Sequence, residues 1–184
     1  NSIPMLTFSN DIAMIENNIW SLGFSPEEQV ESVISCALKY GFERFGLIVP
    51  KNLYGNIILD TSVELINNDK ENYFDKLLLT NKQINDKKQL FSIIKQFLNY
   101  KNEQNSEHTK FDAIFLGGSK EFILEIAPLL AFYDVDSKKI KILGTEKYNI
   151  KDIRNEPSLE KSWFPKILSK NEKEFKLIWK KIWG

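Results

Sequence analysis

A three-layer αβα sandwich around a mostly parallel sheet is the fold class this sequence predicts, and three observations predict it. Short, continuous apolar runs bounded by turn chemistry recur along the chain, as strands buried on both faces require. Between them lie stretches whose apolar residues fall three and four apart, the period of a helix with one covered side. Strand and helix alternate, which implies right-handed crossovers and helices on both faces of the sheet.

In chain order, residues 3–8, Ile-Pro-Met-Leu-Thr-Phe, read as a short extended segment broken by Ser9, Asn10 and Asp11. Ser25 then caps a helix, with Pro26 at the first position and Glu28 completing a capping box. Val30, Val33, Ile34, Ala37 and Leu38 form its apolar stripe, and Cys36 among them reads as a small core residue. Gly41 closes the helix in the left-handed conformation. Phe45 to Pro50 form a buried strand, a second helix covers residues 54–66, and residues 73–79 make the next strand. Leu90, Ile93, Ile94, Phe97 and Leu98 give another helical stripe.

Residues 101–110 contain nothing apolar and read as an exposed loop holding His108, the only histidine. Residues 112–116 are a further buried strand, turned by Gly117-Gly118-Ser119 into a helix carrying Phe122, Ile123, Ile126 and Leu130. Pro128 predicts a kink or an early end there. Residues 140–143 form the next strand, Trp163-Phe164 an edge strand, and residues 172–183 a last amphipathic helix. The aromatic set Trp163, Phe164, Phe175, Trp179 and Trp183 reads as mostly core.

Charge narrows the partners. Lys+Arg and Asp+Glu balance at 25 each, so no net field draws the chain to nucleic acid or to an acidic membrane surface. No apolar run is long enough to span a bilayer. The chain opens on Asn1-Ser2-Ile3-Pro4, neither an initiator methionine nor a signal peptide, and reads as a fragment of something longer. One cysteine cannot make an internal disulfide.

No phosphate-binding G-x-x-x-x-G-K-[ST] loop, G-x-G-x-x-G fingerprint or G-x-S-x-G elbow occurs, and His108 has no second histidine or cysteine near it in sequence. Glu27/Glu28 and Glu172/Glu174 read as first-turn carboxylates favoured by the helix dipole. Binding, with no catalysis, cofactor or metal, is the expectation. In a parallel sheet covered by helices, ligands lie beyond the carboxyl ends of the strands. Those ends are Pro50 to Gly55, Gly117 to Ser119 and Gly144 to Tyr148, and their candidate site residues are Asn52, Tyr54, Gly117, Gly118, Ser119, Glu146 and Tyr148. The Gly117-Gly118 pair reads as a tight strand-to-helix turn more readily than as a phosphate cradle.

Three stretches together resemble the branched-chain amino-acid receptors of the type I periplasmic-binding-protein superfamily. Ile3 to Asn10 is similar to the strand ending their first lobe, whose Ser/Thr-rich turn faces the ligand; this adds Ser9 and Asn10 to the cleft. The helix capped by Ser25, the strand to Val49 and Asn52-Leu53-Tyr54-Gly55 resemble the start of their second lobe. Phe111 to Gly118 and Ile142-Leu143-Gly144 continue the likeness. The resemblance implies that residues 1–24 end a first lobe with its crossover and that residues 25–184 are most of a second lobe.

Within that superfamily the chain resembles more closely the penicillin-binding protein activator family, outer-membrane-associated lipoproteins. The likeness rests on Trp20 to Gln29, Ile126 to Tyr133, Gly144-Thr145-Glu146, Glu156 to Leu159 and Ser162-Trp163-Phe164. It implies a non-catalytic periplasmic domain, lipid-anchored through an N-terminal signal, that regulates peptidoglycan synthesis by contacting a bifunctional penicillin-binding protein. The alternative is a substrate-binding protein of an ABC transporter for amino acids or a similar small polar ligand. For that reading Tyr54 matches the second-lobe tyrosine and Glu146 the glutamate that takes a ligand ammonium. Asn10 stands where threonine is usual, and Ser119 where a second tyrosine follows Gly-Gly, so one aromatic wall is missing.

Overall fold

The computed structural model describes residues 3–7, 18–68, 72–99, 109–136, 139–166 and 172–183. Two short strands, β1 (Met5–Thr7) and β2 (Ile19–Ser21), pair in parallel with Met5 opposite Ile19. Strand β2 falls where the sequence reading places no element.

Helix α1 (Pro26–Lys39) begins as its sequence dictates. The Ser25 hydroxyl accepts from the Glu28 amide at 3.2 Å, and the Glu28 carboxylate accepts from the Ser25 amide at 3.0 Å. Gly41, at φ +84°, follows its end. Val30, Val33, Ile34 and Ala37 are buried, whereas Cys36 is exposed, which corrects its reading as a core residue. The 3.6-residue period turns position 36 past Val33 and off the stripe, onto a groove shared with Ser32, Trp163 and Phe164.

The remaining elements are β3 (Arg44–Pro50), α2 (Leu53–Asn68), β4 (Tyr73–Leu79), α3 (Asn81–Asn85), α4 (Lys87–Phe97), β5 (Ala113–Leu116), α5 (Lys120–Phe132), β6 (Lys141–Leu143), α6 (Lys151–Arg154) and α7 (Glu172–Trp183). Strands β3 to β6 form one parallel sheet in the order β4-β3-β5-β6. The central pair, β3 and β5, is in register with Phe45 opposite Ala113 and Ile48 opposite Leu116.

Side chains of alternate strand residues point to opposite faces, and the core divides accordingly. Phe45, Leu47, Val49 and Phe115 pack with Val30, Ile34, Ile58 and Ile66 of α1 and α2. Ile48, Ile114 and Leu116 pack with Leu90, Ile94, Phe122 and Ile126 of α4 and α5. This is the expected αβα sandwich.

Three expectations change. Helix α5 runs through Pro128 to Phe132 instead of ending early. Trp163 makes only an isolated bridge to Leu143, held by Trp163 N–H to Ile142 O at 2.8 Å and Gly144 N–H to Trp163 O at 2.9 Å, so residues 163 and 164 form no edge strand. Trp163 packs against Tyr40 and Phe42, and Phe164 against the core, but Phe175, Trp179 and Trp183 are 61%, 57% and 73% exposed. Their helix finds no cover among the described residues. His108, with residues 101–108, lies outside the described residues. No helix among the described residues is long and apolar enough to cross a membrane.

At the amino ends of the strands, Asp112 ties β3 to β5. Its carboxylate accepts from the amides of Glu43 and Arg44 and from the Arg44 guanidinium at 2.6 Å. Partial burial raises the carboxyl's pKa, but the hydrogen bond and charge of Arg44 with the two amides outweigh it and hold Asp112 below the usual carboxylate range.

Candidate functional site

The opposite, carboxyl ends of β3, β5 and β6 bring three turns together. After β3, the Asn52 side chain accepts from the Gly55 amide at 2.8 Å and starts α2, which sets Tyr54 in its first turn. After β6, Thr145 is fully buried, and the half-buried Tyr54 donates its hydroxyl to the Thr145 oxygen at 3.4 Å. The Lys147 ammonium stands 4.4 Å from the centroid of the Tyr54 ring.

Glu146 is placed by α1. Its amide donates to Gln29 Oε1 at 3.0 Å, and Gln29 Nε2 donates to Phe24 O at 2.8 Å, so a buried glutamine links the start of α1 to the tip of β6. Burial raises the Tyr54 hydroxyl's pKa; the hydrogen bond with Thr145 opposes this, and the Glu146 carboxylate adds to it.

After β5, the Ser119 hydroxyl accepts from the Phe122 amide at 3.2 Å and caps α5. The neighbouring Glu121 is held below the usual carboxylate range by its own amide and the Ser119 hydroxyl, with the charges of Lys120 and Lys147 assisting. Lys120 itself pairs with Asp152 at 2.9 Å.

The structure therefore joins Tyr54 and Glu146 at one spot, with Ser119 capping the adjacent helix. The glycines serve packing. A Cβ on Gly117 would lie 2.8 Å from the Phe115 ring, and one on Gly118 would lie 2.4 Å from the Phe122 ring, so aromatic side chains fill the space a phosphate cradle would need. Tyr148 is a correction: it is 1% exposed and donates its hydroxyl to Leu116 O at 2.9 Å, so it plugs the core beneath the tips instead of facing a cleft. Burial pushes its hydroxyl far above the ordinary tyrosine range. Asn52 is exposed but spends its side-chain oxygen on the helix cap. Ser9 and Asn10 lie outside the described residues.

Sequence reasoning missed Thr145, Lys147 and Gln29. The first two flank Glu146 at a strand tip and could have been nominated by position. Gln29 has no such signal, being the fourth residue after the Ser25 cap. At the strand tips the Tyr54 ring, the Glu146 carboxylate and the Lys147 ammonium are part-exposed, with the Thr145 hydroxyl buried behind them.

No family model matches the chain, and no curated protein matches it. Solved structures do. The leucine-binding protein of Thermotoga maritima MSB8 is 14% identical over 98% of this chain and 51% of its own, with a TM-score of 0.68. A fatty acid ABC transporter substrate-binding protein from Thermomonospora curvata is 14% identical over 81% of this chain and 35% of its own, with a TM-score of 0.56. An extracellular ligand-binding receptor from Rhodopseudomonas palustris HaA2 is 13% identical over 74% and 33%, with a TM-score of 0.55. The chain thus spans about half of the first structure and about a third of the other two. At these identities the likeness shows the fold, which is that of a leucine-binding-protein-like, type I periplasmic-binding-protein lobe.

Proposed function

We propose that the chain is part of a substrate-binding protein of the kind that serves ABC transporters in the periplasm, and that Tyr54 and Glu146 form one wall of its cleft, with the buried Thr145 behind Tyr54. The observation that carries this reading is the convergence of an aromatic ring and a carboxylate at the carboxyl ends of parallel strands, where such sheets bind ligands. The binding proteins it resembles in fold support it. On this reading residues 25–184 are a second lobe and residues 1–24 the end of a first lobe with its crossover. Ser9 and Asn10 would then face the same ligand from the first lobe.

The test is a titration of the ¹⁵N-labelled chain with L-leucine and with octanoate at millimolar concentration, since one wall of a cleft binds weakly. Amide shifts should cluster on Tyr54, Thr145, Glu146 and Ser119 for at least one compound and shrink in Tyr54→Ala. Shifts that are absent or scattered refute the reading.

A second reading has its own observation. The exposed apolar side of α7, with Phe175, Trp179 and Trp183, suits a protein partner. We infer from it, as the alternative, a penicillin-binding protein activator that regulates peptidoglycan synthesis by contact. Capture of a purified bifunctional penicillin-binding protein by the chain, lost in Trp179→Ala, is its expected result; no capture counts against it.

A further inference from the structure

We propose that Lys147 is an intramolecular competitor at this site: its ammonium occupies the face of Tyr54 that a cationic ligand group would use, and it thereby sets which ligands the site admits. The proposal rests on the strand-tip binding reading above.

An ammonium within about 6 Å of an aromatic centroid is attracted by the negative face of the ring, and Lys147 Nζ stands at 4.4 Å. The ring's hydroxyl is hydrogen-bonded to the buried Thr145 at 3.4 Å, which favours this position of the ring. One carboxylate completes the surroundings: the charge of Glu146 acts on Tyr54. An aromatic face with a carboxylate near it is what an alkylammonium ligand would need, and the protein's own lysine fills that place.

What holds Lys147 there is weak. Lys110 also lies over aromatic rings, those of Tyr73 and Phe111, but it is anchored by an ion pair with Asp75 at 2.7 Å. Lys120 is anchored by Asp152. Among the described residues Lys147 makes no ion pair, and it is half-exposed on a flexible stem. A ligand ammonium must therefore displace a tethered equivalent, a modest but definite penalty. A ligand without an ammonium need not displace it.

The experiment compares the chain with Lys147→Gln and Lys147→Arg by amide-shift titration, using two probes. L-Leucinamide carries an ammonium and no carboxylate; isovalerate carries a carboxylate and no ammonium. Removing the competing charge should tighten L-leucinamide binding in Lys147→Gln by about two- to fivefold, the range of an exposed cation–π contact. Lys147→Arg, which keeps a cation able to lie on the ring, should bind L-leucinamide no more tightly than the unaltered chain, and isovalerate should bind Lys147→Gln no more tightly. Equal or weaker L-leucinamide binding by Lys147→Gln overturns the role of Lys147 and leaves the binding reading standing. If neither probe shifts Tyr54, Thr145 or Glu146 in any of the three proteins, the binding reading falls and the proposal falls with it.

Discussion

Helices α4 and α7 are written in the same way and end in different surroundings. Each sets apolar residues three and four apart along one side and lysines along another. In α4 the stripe of Leu90, Ile94 and Phe97 is buried against Ile48, Leu79 and Ile114. In α7 the corresponding stripe, Phe175, Ile178, Trp179, Ile182 and Trp183, stands exposed. Periodicity is therefore not what separates them. Helix α4 lies between β4 and β5, strands on either side of β3 in one sheet, so the crossover lays it across that sheet. Among the described residues nothing is laid over that side of α7. An amphipathic pattern states that a side needs cover; what supplies the cover is decided by the rest of the fold.

The largest effect that could break this comparison comes from matched truncations. Ile94→Ala should destabilise the chain by about 2–5 kcal/mol through the cavity it leaves, whereas Ile178→Ala should stay within about 0.5 kcal/mol, as surface changes do. Urea unfolding midpoints measure both, and equal losses would mean that α7 is packed as tightly as α4.

A second substitution sharpens the covered side of the comparison by testing how little slack the body has. A Cβ on Gly55 would stand 1.9 Å from the backbone oxygen of Pro50, where β3 turns into α2. Gly55→Ala should cost about 1–3 kcal/mol by overpacking and should shift the Tyr54 amide. A neutral result in the same urea assay would show a looser turn than the structure describes.

The smallest effect lies at the amino ends of the strands. Asp112 binds its proton less readily when folded, so the Arg44 interaction contributes stability that is fully present above the ordinary carboxylate value, about 4. That stability is lost as pH falls through the lower folded value. Because both side chains are partly exposed, solvent screening limits the contribution to about 1 kcal/mol or less. Asp112→Asn should remove it at pH 7 and flatten the acid side of the stability curve. An unchanged acid limb would show that Arg44 and Asp112 are not paired in solution.

Legibility followed the range of the interaction. The α1 capping box lies within four residues, Ser25 to Glu28, and could be read directly. Tyr54 and Glu146 could be nominated because the alternation of strand and helix fixes where strand tips lie. Their meeting could not be read: Tyr54 reaches Thr145 across 91 residues, and Glu146 reaches Gln29 across 117. Tyr148 sits only two residues beyond Glu146, yet it turns inward to Leu116, a choice made by the space beneath the β5 and β6 tips.

By itself, the sequence determined the order of elements, the parallel αβα sandwich, and the helix starts at Ser25 and after Gly117-Gly118. These depend on caps, turn residues and apolar spacing, which act over a few neighbours. Only the tertiary structure decided that Cys36 and the aromatic side of α7 face outward, that Gly117, Gly118 and Tyr148 serve packing, and that Lys147 covers Tyr54. Each of those outcomes depends on what a distant segment places opposite the side chain, and pairwise contact across a fold leaves no local pattern to read.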